Sequence, residues 1–411
     1  MKKLLTDSII SLSMTIVLGG CIEIGLRRIY PEISNANKMA QEARKNSAYR
    51  TDPNRLVALK PNVVKTYQRS RANGGGAIHW RTNSHAFRGD DLKDNSDFRI
   101  IVYGDSNVQG RFSELNKTFT YKLEHYLSNI TQKTVEVLNA GVVGYGPDQS
   151  YIRFAEEADV YKPDLVVFHI FADNDFGDLI RNRLFEIDPT NKLIVTTHKR
   201  FREPLLYQSE LQEYLASSLI IRGARKVFKK IQQAPIEIGM DKTGEELINL
   251  ISIVEQQEYE VFNKSQPQLF SHFADHYDLD VATSSESEST NTKIKLMESI
   301  LIKANELAAS KDIDFLIIIQ PSIVDLTMSS DFSYIDLIAR YPNYKKNNLT
   351  STLEQISVRN DIFNLNLFNV FLQHQPDDLY FRHDNNHWND LGQDIAARAL
   401  VEFMLDKDLS P

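Results

Sequence analysis

Five short, nearly uninterrupted apolar runs constrain this 411-residue chain more than anything else in it: RIIVY at 99–103, TVEVL at 134–138, DLVVFHIF at 164–171, IDFLIII at 313–319 and DIFNLNLF at 361–368. A strand with one wet face alternates apolar and polar residues. A strand covered on both faces does not, and such runs are typical of parallel sheets sandwiched between helices. Helical spacing fills the intervals. Phe119, Leu123, Tyr126, Leu127 and Ile130 mark one helix, and Tyr151, Ile152, Ala155 and Ala158 a second. Ile294, Met297, Leu301, Ala304 and Leu307 mark a third, and Leu391, Ile395, Ala399, Leu400 and Phe403 the last, over 390–405. Strand alternating with helix predicts an α/β fold: a flavodoxin-like, doubly wound five-stranded parallel sheet in three α/β/α layers.

In such a sheet the carboxyl ends of the strands form the ligand crevice, and four of the five runs deliver chemistry there. The first ends in Gly104-Asp105-Ser106, with Gly110 closing a short turn. The second runs into NAGVVGYG, Asn139 to Gly146, whose glycines let backbone N–H groups approach a ligand closely. The third ends in FADNDF and places Asn174 at the rim; beyond the fifth, HDNNHWNDLG carries Asp384 and His387 just ahead of the final helix. Together these parts suit nucleophilic acyl transfer. A serine hydroxyl reacts once a base takes its proton, His387 is that base, and Asp384 holds the imidazole in the required tautomer. The N–H of Ser106, the N–H of Gly144 and the side-chain amide of Asn174 supply candidate oxyanion donors.

Taken singly, each piece has an ordinary structural use. A serine after a strand can simply start a helix. The glycines can turn the chain, with Gly141 and Gly146 as alternatives to Gly144 in facing a ligand. Asn174 can cap a helix, Asp175 can be a solvated charge, and His387 can pack beside Trp388. Asp105 reads as a brace for the turn. Arg88 reads as a member of a surface ion pair, with a substrate carboxylate as the alternative. The order and placement of the set carry the active-site reading.

That order, Gly-Asp-Ser, a glycine turn, Asn-Asp and then Asp-x-x-His near the C-terminus, resembles the SGNH/GDSL hydrolase family over roughly residues 80–180 and 310–405. The resemblance implies Ser106 as nucleophile, Gly144 and Asn174 as oxyanion donors, and His387 with Asp384 as the rest of a triad. It implies no cofactor and no metal. One position departs from the pattern: Ala172 stands where the third block, Gly-x-Asn-Asp, has glycine. The stretch RTNSHAFRGDD at 81–91 also resembles membrane-anchored bacterial members, which often accompany extracellular polysaccharide synthesis or modification.

The N-terminus fits that placement. Lys2 and Lys3 precede a segment with no charge from 8 to 22 that stays apolar to Leu26 apart from Glu23. At about 19 residues it is just long enough to span a bilayer. Residues 1–29 therefore read as a signal anchor, or as a lipoprotein signal ending at Cys21 in LGGC, and either puts the remainder outside the cytoplasm. Cys21 is the only cysteine, so neither an intrachain disulfide nor a cysteine metal cluster can form. A net charge of −8 argues against a nucleic-acid partner. Residues 30–97 read as a polar leader with RANGGGA at 71–77 as a flexible loop, and 98–411 as the hydrolase domain. Within that domain, about 176–290 reads as a helical insertion. It holds a basic amphipathic stretch at 215–231, a helix capped by Thr243 and Glu246, and a Ser-rich linker at 283–290.

These features predict a serine esterase or deacylase acting on acyl esters, O-acetyl groups foremost, carried by polysaccharide or lipid. An O-acyltransferase would use the same acyl-enzyme. A catalytically inactive glycan-binding or scaffold protein of the envelope is the non-enzymatic alternative. His383 and His387 also mimic a zinc pattern, but they precede the last helix, so their spacing does not put both imidazoles on one helical face.

Overall fold

The five apolar runs become one fully parallel sheet. The computed structural model describes residues 48–52, 54–182, 184–196, 277–284, 288–327, 338, 341–381 and 387–411. They fall into two units, 1–56 with 199–247 and 57–198 with 248–411. In the first unit the described residues are 48–52 and 54–56. There the strand Tyr49–Asp52 ends on a carboxylate that accepts from Asn54 N and Arg55 N, both at 3.0 Å.

The second unit opens with a hairpin, β1 (Val64–Gln68) and β2 (Ala77–Arg81). The sheet strands follow: β3 (Phe98–Gly104), β4 (Val135–Gly141), β5 (Leu165–Phe171), then, after the hairpin β6 (Phe185–Ile187) and β7 (Leu193–Val195), β8 (Asp314–Gln320) and β9 (Phe363–Asn366). All seven residues of β5 are buried, whereas β9 lies at an edge and leaves Phe363 exposed. The spatial order is β9-β8-β5-β3-β4, which is the 2-1-3-4-5 order expected of a flavodoxin-like sheet.

Helices connect the strands: α1 (Ser106–Gln109), α2 (Phe119–Thr131), α3 (Pro147–Tyr161), α4 (Asp175–Asn182), α5 (Glu288–Ala309), α6 (Asn348–Arg359) and α7 (Asp390–Asp406). The chain moves outward from β3 to β4 and then crosses back past β3 to β5. Right-handed crossovers therefore put α2 and α3 on opposite faces. The packing agrees: α2 lies against α7, while α3 meets α5 and α5 meets α6. This reversal opens a crevice between the carboxyl ends of β3 and β5. Ser106 follows one of those strands and Asn174 the other.

Several expectations change. The polar leader is ordered from residue 57 onward, with Trp80 of β2 only 1 % exposed. RANGGGA is a defined turn, not a flexible loop. A 3-10 turn over Arg71–Asn73 is followed by three glycines, all at positive φ, and Arg69 N–H bonds to Gly76 O at 2.9 Å. Glycine is what makes three successive left-handed residues affordable there. The helical insertion contains the β6–β7 hairpin near its start, and α5 already begins at Glu288, inside the expected Ser-rich linker. Ile130 of α2 and Leu391 of α7 are exposed; α7 buries the expected Ile395 and Leu400 and adds Ala396 and Met404. The anchor at 1–29, the basic stretch 215–231 and the helix expected from Thr243 lie outside the described residues. Among the described residues no helix is long and apolar enough to cross a membrane.

Candidate active site

The strand β3 runs directly into a single helical turn, α1, and the capping question is settled by Asp105. Its Oδ1 accepts from Asn107 N at 2.8 Å, as an N-cap does, and its Oδ2 accepts from Asn107 Nδ2 at 3.1 Å. Ser106 is the first residue of the turn and not its cap, so its hydroxyl is not needed to close the helix end. Gly110, at φ 57°, ends the turn by donating to Ser106 O and Asn107 O.

Two glycines in register, Gly104 on β3 and Gly141 on β4, let this turn sit tight on the sheet. A Cβ on Gly104 would meet Val108 Cγ2 at 2.7 Å, and one on Gly141 would meet Gln109 N at 2.2 Å. At Gly141 the reason for glycine is close approach of the α1 backbone; at Gly104 it is the side chains of Val108 on α1 and His169 on β5.

His387 arrives from the other end of the chain. Its Nε2 lies 2.7 Å from Ser106 Oγ. For the hydroxyl to donate along this bond the imidazole must carry its proton on Nδ1. Asp384, the expected partner of that nitrogen, lies outside the described residues, as does His383. Ser106 and His387 are both half-buried, and the imidazole packs edge-to-face on Phe112 with centroids 5.3 Å apart.

The two chain ends are tied together by groups that sequence reasoning missed. Asn107 Oδ1 accepts from Trp388 N at 3.2 Å, next to the histidine. Gln393, buried on α7, donates through Nε2 to Asn107 O at 3.2 Å and accepts from Phe119 N at 2.6 Å. Asn389 caps α7 through Leu391 N and Gly392 N, and its Nδ2 donates to Asp378 O. One such signal was readable in advance: an Asn just before an amphipathic helix is a cap. The Asn107 and Gln393 contacts span more than 270 residues and have no local signature.

Arg88 is also not where it was expected. It is buried, its guanidinium donates to the carbonyls of Gln109, Gly110 and Ser113, and its own N–H bonds to Asn139 O at 3.0 Å. It therefore satisfies the free carbonyls at the carboxyl end of α1, where a cation is also favoured by the helix dipole.

Beneath the turn lies His169 of β5, another group missed from sequence. Its Nε2 is 2.7 Å from Gln320 Oε1, and its Nδ1 is 3.6 Å from Asp105 Oδ1. Burial pushes its pKa down, against the opposing pull of Asp105. The ring meets Trp388 edge-to-face at 5.1 Å.

The remaining candidates line the same edge of the sheet. Val142 to Tyr145 form a turn closed by Tyr145 N to Val142 O at 3.1 Å, with Gly144 at φ 72° and open space where a Cβ would stand. Gly141 is consumed by packing, and Gly146 N–H donates to Gln149 Oε1 at the start of α3. Of the three glycines, Gly144 alone combines open space with left-handed backbone. Asn174 is half-buried and precedes α4; its Oδ1 is enclosed without a hydrogen-bond partner, and its Nδ2 makes no hydrogen bond among the described residues. Asp175 is buried, not solvated. It accepts from Phe171 N at 2.7 Å, and burial with the nearby charges of Asp105 and Asp178 raises its pKa well above the carboxylate range.

No family model matches the sequence, and no curated protein matches it. Solved structures do. A lipase/acylhydrolase from Enterococcus faecalis is similar over 75% of this chain and 96% of its own, at 11% identity and a TM-score of 0.36. An acetyl xylan esterase from Geobacillus stearothermophilus is similar over 76% and 97%, at 13% identity and 0.38. A lipolytic protein of the G-D-S-L family from Desulfitobacterium hafniense, described as putative, matches over 75% and 99%, at 11% identity and 0.33.

Proposed function

We propose that this chain is a serine ester hydrolase of the SGNH/GDSL type, and the observation that carries the proposal is the 2.7 Å contact between His387 Nε2 and Ser106 Oγ. A hydroxyl and an imidazole 281 residues apart, at a sheet crevice, with the serine relieved of any capping duty, is an arrangement for activating a nucleophile.

In the proposed reaction Ser106 Oγ attacks the ester carbonyl as His387 Nε2 takes its proton. The carbonyl π electrons move to oxygen, and the resulting oxyanion is met by Ser106 N–H, Gly144 N–H and Asn174 Nδ2. The oxyanion then reforms the carbonyl as the bond to the alcohol oxygen breaks; His387 gives its proton to that oxygen, the alcohol leaves, and the acyl group stays on Ser106 Oγ. Water, deprotonated by the same imidazole, attacks the acyl carbon, and as the acyl–Oγ bond breaks His387 returns the proton to Ser106 and the acid leaves. Asp384 holds the imidazole proton-side inward and stabilises the imidazolium between the steps. Asp105 and Asn107 hold the turn.

The substrate of this reading is an acyl ester, O-acetyl above all, on polysaccharide outside the cytoplasm, with residues 1–29 as the membrane anchor. The apolar N-terminus supports the location and the crevice supports the chemistry. The test is labelling by a fluorophosphonate together with acetate release from O-acetylated glycans, comparing the full chain with Ser106→Ala. Labelling and release confined to the wild type support the hydrolase. Acetyl recovered on a second sugar assigns transfer instead, and a chain that neither labels nor turns over any ester is a scaffold. Protease accessibility of the 57–411 region in intact cells with and without outer-layer permeabilisation tests the location.

A further inference from the structure

The side of the crevice formed by the β1–β2 hairpin carries a cation that the proposed mechanism does not use. Arg111 follows Gly110, the residue that ends the nucleophile turn. Its guanidinium carbon sits 4.7 Å from the ring centroid of Tyr67, on β1, and 5.7 Å from that of Phe112. Phe112 is the same ring that packs against His387 at 5.3 Å. One aromatic ring therefore separates the guanidinium from the imidazole that touches Ser106.

The charges around it are otherwise matched. Asp390, at the start of α7, accepts from Ser113 Oγ at 2.7 Å and pairs with Arg69 at 3.5 Å. Arg69 in turn lies over Phe381, 5.8 Å from its centroid, and donates to Phe112 O. Glu114 pairs with His79. Arg111 has no carboxylate partner among the described residues, and its Nε is enclosed with no hydrogen-bond partner. Tyr67, Arg111 and Phe112 are all half-buried, so this guanidinium borders the crevice and is neither sealed in the core nor fully solvated. In a chain of net charge −8 a cation held on two rings beside the nucleophile, with no carboxylate partner among the described residues, stands out.

A guanidinium costs less to desolvate than an ammonium and stacks on aromatic faces, which holds it in place while leaving its N–H edge to form paired bonds with a carboxylate or phosphate. We infer that Arg111 on the Tyr67–Phe112 shelf is an anion-binding subsite for the acyl carrier, which makes the substrate an ester on an acidic sugar chain. This rests on the ester-hydrolase reading above and specifies its substrate class. A carboxylate on a uronic acid and a phosphate on a sugar are the two sources of that anion.

The test uses the full chain with three acetylated substrates: galacturonic acid oligosaccharides, neutral galactose oligosaccharides, and galactose oligosaccharides bearing phosphate. The readout is the ratio of kcat/KM on each charged ester to that on the neutral one, measured within the same variant, so that a folding defect cancels. Wild type should favour a charged ester, the favoured one naming the source of the anion. Arg111→Gln should cut that ratio about tenfold through KM, with Arg111→Lys in between, and added salt should narrow the wild-type preference. A wild type that does not discriminate overturns the inference. So does an Arg111→Gln variant that slows charged and neutral esters in equal proportion, since that is the behaviour of a packing staple.

Binding separates this from failure of the hydrolase reading. Calorimetry of unacetylated galacturonic acid oligosaccharides and of the unacetylated phosphate-bearing ones on Ser106→Ala should show affinity that falls about tenfold when Arg111→Gln is added. If no ester is turned over but this dependence is seen, the subsite stands and the enzyme does not. If turnover is seen but neither rate nor binding responds to Arg111, the enzyme stands and the subsite does not.

Discussion

Replacing Gly141 by alanine tests whether the nucleophile turn owes its position to the glycine pair beneath it. The added Cβ would stand 2.2 Å from Gln109 N, 2.8 Å from Gln109 Cα and 2.8 Å from Val108 C. Every one of these is a backbone atom, so no side chain can swing away to make room. To reach even 3.0 Å, a separation that real Cβ contacts essentially never undercut, α1 must retreat by about 0.8 Å from β4. The retreat is resisted on the other side by Arg88 on the carbonyls of Gln109 and Gly110, and by Asn107 on Trp388 N. Overpacking of this kind typically costs about 1–3 kcal/mol of stability. The functional cost should be larger in proportion, because Ser106 rides on the same turn, and a displacement near 1 Å can cost about 100-fold in rate. The expected result is therefore a kcat on an activated acetyl ester lowered about 100-fold, in a protein still folded at 25 °C with a reduced Tm. The conformation of alanine itself is not the issue, since Gly141 does not use left-handed backbone. A Gly141→Ala protein with kcat within threefold of wild type would refute the reasoning, because it would mean the turn can back away without moving the hydroxyl from His387.

Other outcomes follow from the same geometry. Asn174→Ala should lower kcat by about 100- to 1,000-fold with little change in KM if its amide meets the oxyanion, and a loss under threefold would remove it from that role. Asn107→Ala takes the acceptor from Trp388 N and a donor from Asp105, both buried, and should cost about 1–3 kcal/mol in chemical denaturation together with a fall in kcat. An unchanged denaturation midpoint would count against the Asn107 tie. Asp325 is fully buried and accepts from Tyr277 and Tyr344; burial pushes its pKa from 3.8 up to about 7. Between those values the unfolded chain loses a proton that the folded chain keeps, so this group makes stability fall as pH rises from about 4 to about 7. The full effect is roughly 4 kcal/mol for a shift of this size. Asp325→Asn mimics the protonated carboxyl and should erase that slope, so its stability relative to wild type should climb across the window; a difference that is flat with pH would refute the assignment.

The residues at the crevice edge, Ser106, Gly144 and Asn174, were legible in the sequence because of where a parallel sheet must put them. Strand ends are short, Gly-marked and local, so GDS after a buried run, and Asn-Asp after another, identify themselves by position alone. The sheet order could be anticipated for the same reason. What stayed hidden is the set of groups whose role depends on approach between distant segments. Nothing local to Arg88 says that the carbonyls ending α1 will come to rest over it, and by composition a charged residue in a polar leader belongs on the surface. His169 sits inside an apolar run and reads as one polar break in a strand until Gly104, lacking a Cβ, lets Asp105 settle within 3.6 Å of it. Asp175 looked solvated for the opposite reason: an Asp-Asn-Asp cluster has the composition of a loop, and only the return of its carboxylate onto Phe171 N at the end of β5, under the packing of α4 on α3 and α5, encloses it. The same dependence on folded geometry explains why the sequence alone left open whether Ser106 caps the helix or is free to react. A Gly-Asp-Ser turn offers two residues able to cap the helix, and local propensity ranks aspartate and serine alike. Asp105 takes the cap by accepting from Asn107 N, which leaves the serine hydroxyl free to meet His387. What frees the Ser106 hydroxyl is thus a competition for a helix terminus that Asp105 wins, and its outcome is visible only in the folded turn.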